Sequence, residues 1–324
     1  MDYIEKIKKP ILSEMQEFDR VYTEVLKNDN ELLVNVHNYI MAASGKRLRP
    51  ILTLLAAKLF GDVTEATLYG AFSLELLHTA SLVHDDVIDD TLERRGRPSV
   101  NARWSNKIAV LTGDYILSKS LYCANKTKHL DIMEVISLVG MVLPDCELLQ
   151  LANTRQSAFT EHDYFEIIKR KTALLFATCM KVGGLSVGAD EDSLNYLRNF
   201  GEYLGICFQI KDDIFDFYEN ADIGKPTGND VRDGKLTLPL IYVLKYTSGE
   251  ERDEIVRLID NKEFSHENIQ KIMQYAHDHG GVDYAIRVME EYKQKALSEL
   301  SSLPDNEAKN ALIECVDFVT IRDF

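Results

Sequence analysis

The chain has 324 residues, of which 45% are hydrophobic and 27% charged, so it can form a sizeable core and is not a disordered protein. Its 17 glycines and 7 prolines are about 5% and 2% of the 324 residues. Average usage is about 7% and 5%, so the low content argues against a turn-dense all-β protein. The net charge of −15 disfavours binding to nucleic acid or to an anionic membrane surface. The composition predicts a helix-rich protein.

Cysteine usage and the N-terminus point to a reducing, aqueous compartment. The five cysteines are widely spaced and never form CxxC, so neither a disulfide framework nor a zinc site is indicated. No apolar signal core follows Met1, and no run of 18 uncharged apolar residues occurs. We expect a cytoplasmic protein without a membrane anchor. Because no linker-like stretch interrupts the chain, we also expect one domain over residues 1–324.

Apolar residues recur at helical spacing along almost the whole chain, and no series of alternating strands is visible. Two long segments are apolar on several faces, which is typical of helices buried inside a bundle, and each ends in a cluster of aspartates. The predicted helices cover 2–27, 31–43, 50–60, 64–90, 99–126, 131–153, 161–182, 191–219, 236–247, 250–260, 266–279, 282–302 and a short one from about 305, with Pro50 at the first position of its helix.

The same DDxxD sequence closes both long helices. On a helix, positions i and i+4 lie one turn apart on the same side, with i+1 offset. Such a set of hard oxygen ligands suits Mg²⁺, which is commonly held by one or two carboxylates together with substrate phosphates. One copy is as well explained by a solvated acidic helix end, but two copies on apolar helices favour a metal site. The six aspartates are Asp85, Asp86, Asp89, Asp212, Asp213 and Asp216.

Basic residues accompany both aspartate clusters. Each basic set alone is more often a solvated surface, but together with glycine turns and helix N-termini such sets bind phosphate. The chain has no GxxxxGK[ST] loop and no GxGxxG turn, nor GxSxG or HExxH, so nucleotide enzymes and common hydrolases are not indicated. These observations favour a substrate that itself carries a diphosphate group. The basic sets are Lys46, Arg47 and Arg49; Arg94, Arg95 and Arg97; and Lys225 with Lys235.

These motifs give the chain a resemblance to the all-trans isoprenyl diphosphate synthases, the polyprenyl synthetase family, over essentially its whole length. The resemblance implies an all-α, single-domain bundle around a deep central cavity, the isoprenoid synthase fold, and a homodimer. The matching strings, in the family's order, are Gly45–Pro50, Leu77–Asp90 with Arg94-Arg95-Gly96, Gly113-Asp114, Lys171-Thr172, Phe208–Asp213, and Gly224-Lys225-Pro226 through Gly234–Pro239.

The reaction implied is ionisation of an allylic diphosphate, attack on the cation by isopentenyl diphosphate, and loss of a proton to the departing diphosphate. By resemblance, all six aspartates hold magnesium ions that neutralise the leaving group. The resemblance further assigns the allylic diphosphate to Arg94, Lys171, Lys225 and Lys235, the isopentenyl diphosphate to Lys46, Arg49, His78 and Arg95, and the oxygens facing the cation to Thr172 and Gln209. Asp85, Asp86, Asp89, Lys171, Thr172, Gln209 and Asp212 are the catalytic candidates.

The chain departs from the family pattern at three places. Ser44 stands where a glycine is common, and Asp145–Gln150 replaces an acidic-glycine string, so the role of Gln150 is open. Arg322 resembles a terminal basic residue that reaches isopentenyl diphosphate in relatives, but two residues follow it. None of these departures touches the aspartates.

Product length in this family is limited by bulky residues on the cavity wall. Ala80 and Ser81 occupy the first positions where the wall could stop the product, with Leu77 one turn further down. Small residues there predict a long product, octaprenyl or a near neighbour, for a quinone side chain; replacing Ala80 by Phe should shorten it. The alternative is that Ala80 and Ser81 only allow close helix packing. A short-chain synthase, a terpene cyclase and a catalytically silent subunit are the competing functions.

Overall fold

The computed structural model describes residues 3–43, 45–152, 159–218 and 228–321. Within these residues the chain is helical apart from loops and one two-stranded ribbon, which confirms the all-α prediction. The ribbon pairs β1 (Glu93–Arg94) with β2 (Arg97–Pro98). The helices are α1 (Tyr3–Lys8), α2 (Leu12–Val25), α3 (Glu31–Ala42), α4 (Leu48–Lys58), α5 (Glu65–Ile88), α6 (Val100–Arg103), α7 (Asn106–Lys126), α8 (Leu130–Ala152), α9 (Glu161–Ile168), α10 (Leu174–Leu185), α11 (Glu191–Phe215), α12 (Asn229–Arg232), α13 (Leu238–Tyr246), α14 (Glu250–Asp260), α15 (His266–Asp278), α16 (Gly281–Ser301) and α17 (Glu307–Ile321).

Local capping sets most of the helix starts. Thr64 begins α5 with a capping box in which its hydroxyl and that of Thr67 satisfy each other's backbone N–H groups. Ser105 caps α7 and separates it from α6, so the predicted helix over 99–126 is two helices. The expected first position for Pro50 is wrong, because α4 begins at Leu48. Pro50 is still in the first turn, where a backbone N–H has no partner in the helix.

The chain divides into two compact units, composed of Met1–Leu143, Leu175–Asn199 and Glu299–Cys315, and of Pro144–Leu174, Phe200–Ser298 and Val316–Phe324. In unit 1 the rings of Phe18 and Tyr22 on α2 pack against Phe72 on α5, with centroids 4.7 Å and 5.9 Å from the Phe72 ring. The 24-residue α5 lies in this core with Phe72 and Leu74 fully buried. Unit 1 therefore holds the helix that ends in the first aspartate cluster.

Unit 2 is built around aromatic contacts between its helices. Tyr242 of α13 stacks on Tyr284 of α16 with ring centroids 4.2 Å apart. The Tyr284 hydroxyl donates to Glu161 Oε1 at the start of α9, 2.6 Å away. These contacts fix α9 and α13 against α16. The expectation of a single domain stays a prediction. Among the described residues, no helix is long and apolar enough to cross a membrane.

Gly183 generates a test of the packing in unit 1. A Cβ on Gly183 of α10 would lie 2.3 Å from the Thr53 carbonyl oxygen and 2.7 Å from Ala56 Cβ on α4. We expect Gly183→Ala to lower the free energy of unfolding by about 2 kcal/mol, because overpacking outweighs the helix propensity of Ala. Gly61→Ala, whose Cβ would have nothing within 4 Å, is the control and should stay near wild type. Urea unfolding measures both, and equal stabilities would contradict the close approach.

Candidate active site

The first aspartate cluster ends α5, and its three carboxylates differ in exposure. Asp85 is half-buried, Asp86 is 3% exposed and Asp89, the C-cap, is exposed. Asp86 Oδ1 accepts from Arg94 Nε at 2.7 Å and from Arg94 Nη2 at 2.6 Å. The Asn101 side chain donates to the Asp86 carbonyl at 3.1 Å. Asp86 is therefore held inside the protein, while Asp85 and Asp89, one turn apart, lie on the more open side.

The short ribbon places the arginines that follow this cluster. Its turn consists of Arg95 and Gly96, with φ of 54° and 71°, as a two-residue hairpin turn requires. Arg95 Nη1 donates to the Ala43 carbonyl at 2.7 Å. A Cβ on Gly45 would lie 3.2 Å from Arg95 Nη2, so the loop before α4 lies against this guanidinium. Two sequence motifs 50 residues apart thus meet. A positive φ at a non-glycine residue costs about 1–3 kcal/mol and is most common at functional sites.

The basic residues before α4 have different surroundings. Lys46 is exposed. Arg47 has a φ of 54°, forms an ion pair with Asp19 and lies 5.7 Å from the centre of the Tyr22 ring. Arg47 therefore fastens the start of α4 to α2. The Arg49 guanidinium lies 5.8 Å from the centre of the Phe176 ring and extends toward α5 and α10.

Arg49, Glu75 and His78 are half-buried and form a polar cluster in unit 1, which we call the polar pocket. Arg49 Nε and Glu75 Oε2 are buried and have no hydrogen-bond partner among the described residues. Burial lowers the pKa of Arg49 and raises the pKa of Glu75, against the opposing influence of the neighbouring charges. Burial, with Arg49 and Arg95 nearby, lowers the pKa of His78 well below its usual value. The pocket therefore offers a neutral imidazole and an unused guanidinium N–H, donors suited to an anion.

The second aspartate cluster ends α11 in unit 2 and shows the same division. Asp212 is exposed and Asp213 is 3% exposed. Asp213 Oδ2 accepts from the Tyr164 hydroxyl at 2.6 Å, and Oδ1 accepts from Gln209 Nε2 at 2.8 Å. The Thr172 hydroxyl donates to Gln209 Oε1 at 2.7 Å. The middle aspartate of both motifs is thus buried and bound by protein donors.

Asp216 and Asp230 complete a group of acidic side chains around Asp213. The Asp216 carboxylate accepts from the backbone N–H groups of Asn229 at 3.0 Å and Asp230 at 2.9 Å. Burial, followed by the charge of Asp216, raises the pKa of Asp230 to about 6. Burial, followed by the charge of Asp230, raises the pKa of Asp213 well above its usual value. Sequence reasoning missed Asp230, which is one of two acids, with Asp233, between Lys225 and Lys235.

This crowding of carboxylates fits a divalent cation, which would relieve their repulsion and their lost solvation. In the described part of the chain, no three His, Cys, Asp or Glu side chains converge as a complete metal site. A metal here would therefore take further oxygens from water or from a substrate phosphate, which is how Mg²⁺ is commonly held.

Lys171 and Thr172 lie in a five-residue π-helix, Lys169–Ala173, between α9 and α10. Such widened turns occur most often at functional sites. Lys171 Nζ donates to Glu147 Oε2 at 2.6 Å and to Gln150 Oε1 at 3.2 Å, both on α8. Glu147 was missed by sequence reasoning, although it lies one helical turn from Gln150. The pair therefore holds the Lys171 ammonium against α8.

The other predicted diphosphate ligands have less defined surroundings. Lys235 is exposed and donates to Asp233 Oδ2 at 3.1 Å. Lys225 and Arg322 lie outside the described residues, as does Ser44. Lys46, Arg49, His78, Arg94 and Arg95 lie in unit 1 with the first aspartate cluster; Lys171, Thr172, Gln209 and Lys235 lie in unit 2 with the second.

The predicted product-length residues on α5 have different neighbours. Ala80 is 1% exposed and belongs to a core cluster with Phe72 and Ile116. Ser81 is half-buried and donates to the His78 carbonyl at 2.9 Å. Leu77 lies one turn before Ser81 and approaches Gly140 of α8, where a Cβ would be 3.8 Å from Leu77 Cδ1. The close-packing interpretation therefore fits Ala80, and Ser81 with Leu77 forms the side toward α8.

Comparison with known proteins gives one consistent family. Residues 30–276 match the family model described as Polyprenyl synthetase. The chain is 34% identical over 308 residues to heptaprenyl diphosphate synthase component 2 of Bacillus subtilis (strain 168), covering 94% of this chain and 87% of that protein. It is 32% identical over 323 residues to octaprenyl diphosphate synthase of Escherichia coli (strain K12), covering 99% of both.

Solved structures show the same likeness. A geranylgeranyl pyrophosphate synthase from Bacteroides thetaiotaomicron matches with a TM-score of 0.87 and 42% identity, covering 99% of this chain and 100% of that one. A polyprenyl synthase from Caulobacter crescentus CB15, in complex with calcium and isoprenyl diphosphate, matches with a TM-score of 0.92 and 30% identity, covering 98% of both chains. The likeness thus extends over almost the whole fold.

The lowered pKa of His78 predicts a pH-dependent stability. Below about pH 6.5, the usual histidine pKa, the unfolded chain binds a proton that folded His78 does not, so stability falls as the pH falls. Between pH 7 and pH 5, His78→Gln should lose less free energy of unfolding than wild type, by about 1 kcal/mol or more. His162→Gln, at an exposed position, is the control. Urea unfolding at both pH values decides, and parallel losses in all three proteins would contradict a buried neutral His78.

Proposed function

Because this chain belongs to the polyprenyl synthetase family of prenyltransferases, we propose that it adds isopentenyl diphosphate units head-to-tail to an allylic diphosphate such as farnesyl diphosphate. The product is a long-chain all-trans polyprenyl diphosphate, octaprenyl or a near neighbour, for a quinone side chain. The observation that carries this function is the repeated arrangement at the ends of α5 and α11, where open carboxylates lie beside a buried, internally bonded aspartate. The repeated arrangement suits a substrate whose negative charge is carried by a diphosphate group.

We assign the metal-facing positions to Asp85, Asp89 and Asp212. Asp89 and Asp212 are exposed and Asp85 is half-buried, whereas Asp86 and Asp213 are each 3% exposed and Asp216 accepts from two backbone N–H groups. The metal is Mg²⁺, which when bound supplies positive charge as the allylic C–O bond breaks. Hard carboxylate oxygens support this choice, and the Caulobacter crescentus relative was solved with a divalent cation and isoprenyl diphosphate. Asp86, Asp213 and Asp216 then hold the helix ends in position rather than contact the metal directly.

The pocket of unit 1 is the site for the isopentenyl diphosphate. Arg49 and Arg95 supply charged donors, and neutral His78 adds an N–H without requiring a change of protonation. Lys46 is exposed beside them and supplies a further charge. Because Arg49 Nε has no partner among the described residues, an anion there would satisfy a buried donor, which is worth about 1–3 kcal/mol.

The π-helix of unit 2 serves the allylic substrate. The Lys171 ammonium, held by Glu147, supplies charge for its diphosphate, and Lys235 is a second donor. Arg94, whose guanidinium holds Asp86 in unit 1, and Lys225 keep the roles that the family resemblance implies for them. Thr172 and Gln209 present oxygens to the allylic cation, where an oriented dipole stabilises positive charge.

A geranylgeranyl diphosphate synthase is the second candidate. It is favoured by the 42% identity to the Bacteroides thetaiotaomicron enzyme and by the packed surroundings of Ala80. The long-chain proposal rests on Ser81 and Leu77, a small and a flexible side chain on the side of α5 toward α8. Each turn of open wall would add about 5.4 Å of depth.

We propose a homodimer formed through α7. Leu111 and Tyr122, 59% and 50% exposed, are eleven residues apart and so share one side of this helix. Val110 and Leu121, 40% and 50% exposed, form a second row beside them. Exposed apolar rows of this kind mark protein interfaces. The cytoplasmic location stays a prediction.

A synthase assay tests the proposed function. With farnesyl diphosphate, isopentenyl diphosphate and Mg²⁺, we expect one diphosphate released per condensation and a dominant product of about eight isoprene units. Chelation of the metal should abolish release, because the leaving diphosphate is then not neutralised. A dominant twenty-carbon product would establish the second candidate. Release without isopentenyl diphosphate would indicate a cyclase, and no release would contradict catalysis by this chain alone.

Substitutions on α5 test which side limits the product. Ser81→Phe should shorten the dominant product by at least one isoprene unit and leave stability near wild type, because a ring there extends toward α8. Ala80→Phe should instead lower the free energy of unfolding by about 1–3 kcal/mol, since Ala80 is packed against Phe72 and Ile116. Product sizing and urea unfolding measure the two effects. A stable Ala80→Phe variant with shorter products would assign the wall to Ala80.

A further inference from the structure

A chain of three hydrogen bonds in unit 2 joins the π-helix to α9 through α11. It runs from the Thr172 hydroxyl to Gln209, from Gln209 to Asp213, and from Tyr164 to Asp213, with donor–acceptor distances of 2.7, 2.8 and 2.6 Å. Tyr164 and Asp213 are 4% and 3% exposed. Tyr164 matches none of the motifs in the sequence, and its hydroxyl has no other hydrogen bond among the described residues.

The chain has a direction, because the donor at each step is defined. Asp213 Oδ1 accepts an N–H of Gln209, which turns the amide oxygen toward Thr172. An amide oxygen only accepts, so the Thr172 hydroxyl must donate to it. The lone pairs of Thr172 Oγ1 then point away from Gln209. A proton on Asp213 would be shared with Tyr164 on Oδ2 and would leave Oδ1 an acceptor, so the direction holds in either state.

We propose that Tyr164 is a positioning residue that acts through Asp213 and Gln209 to keep the Thr172 oxygen turned as an acceptor toward the allylic cation. This inference rests on the proposed function and gives the buried aspartate of the second motif a role other than metal binding. Without the phenol, Asp213 Oδ2 loses its donor and the carboxylate can rotate. The Gln209 amide can then flip, and the Thr172 hydroxyl proton can turn toward the cation, which repels it.

Tyr164→Phe is the direct test, measured in the full-length enzyme with farnesyl and isopentenyl diphosphates. One hydrogen bond corresponds to about a five- to tenfold effect, so we expect kcat to fall by about that factor. The KM values and the Mg²⁺ concentration for half-maximal activity should stay within about twofold of wild type. Tyr292→Phe is the matched control, because this half-buried tyrosine contacts Phe165 next to Tyr164 but lies outside the chain of hydrogen bonds. It should keep wild-type kcat.

A double-mutant cycle with Thr172→Val shows whether Tyr164 acts through Thr172. If it does, Tyr164→Phe should slow the Thr172→Val enzyme by less than about twofold. The single variants should also be slowed more than wild type by a fluorine at C2 of the allylic substrate, because fluorine destabilises the cation. Independent, multiplicative losses in the cycle would overturn the inference, as would an equal loss in Tyr292→Phe.

Asp213→Asn keeps the shape of the side chain and is the alternative test if the Tyr164→Phe protein folds poorly. We expect the same loss of kcat with an unchanged Mg²⁺ requirement, since a new N–H donor disturbs the direction of the hydrogen bonds. A raised Mg²⁺ requirement would instead make Asp213 a metal ligand and overturn its positioning role. If wild type itself releases no diphosphate, the proposed function fails; if wild type is active and Tyr164→Phe equals it, only this inference fails.

Discussion

The structure depends on how like-charged carboxylates are held at the C-terminal ends of two apolar helices. This is an unfavourable place for them, because the helix dipole is negative there and neighbouring carboxylates repel one another. Both motifs solve the problem in the same way: the residue at i+1 points into the packing and is bonded by internal donors. Asp86 accepts a hydrogen bond from the Arg94 guanidinium, and Asp213 accepts hydrogen bonds from Tyr164 and Gln209. The residue at i is then presented on the more open side of its helix.

The backbone around the first cluster accepts strain to bring the basic residues together. Arg47 and Arg95 both have positive φ, and Gly45 leaves room for the Arg95 guanidinium. These conformations cost free energy that packing of Arg47 on α2 and the Arg95 bond to Ala43 help to offset. The result is a pocket in which Arg49 and Glu75 each keep a buried polar atom without a partner among the described residues. Buried polar atoms without a partner are rare in folded proteins, so these two atoms distinguish the pocket from the rest of the unit 1 core.

Helices and motifs could be predicted from the sequence, because both are local patterns. The apolar period placed α5 and α11, and the repeated DDxxD identified the clusters that end them. What failed depended on contacts distant in sequence or on single turns. Glu147 on α8 binds Lys171, which lies in a π-helix whose widened turn has no sequence pattern. Asp213 binds Tyr164, which is 49 residues away in the sequence. The packing of Ala80 was likewise undecidable, since a small side chain suits both a cavity wall and a close helix contact.

The two motifs share a sequence but differ in how much charge their partners cancel. Asp86 faces a cationic partner, so its charge is largely neutralised within unit 1. Among the described residues Asp213 accepts hydrogen bonds from the neutral groups of Tyr164 and Gln209 and lies near Asp230, whose pKa is raised to about 6 by burial and by Asp216. The hydrogen-bonded partners of Asp213 therefore cancel less of its charge than Arg94 cancels at Asp86. A cation bound beside Asp212 would lower the cost of ionising these buried carboxylates.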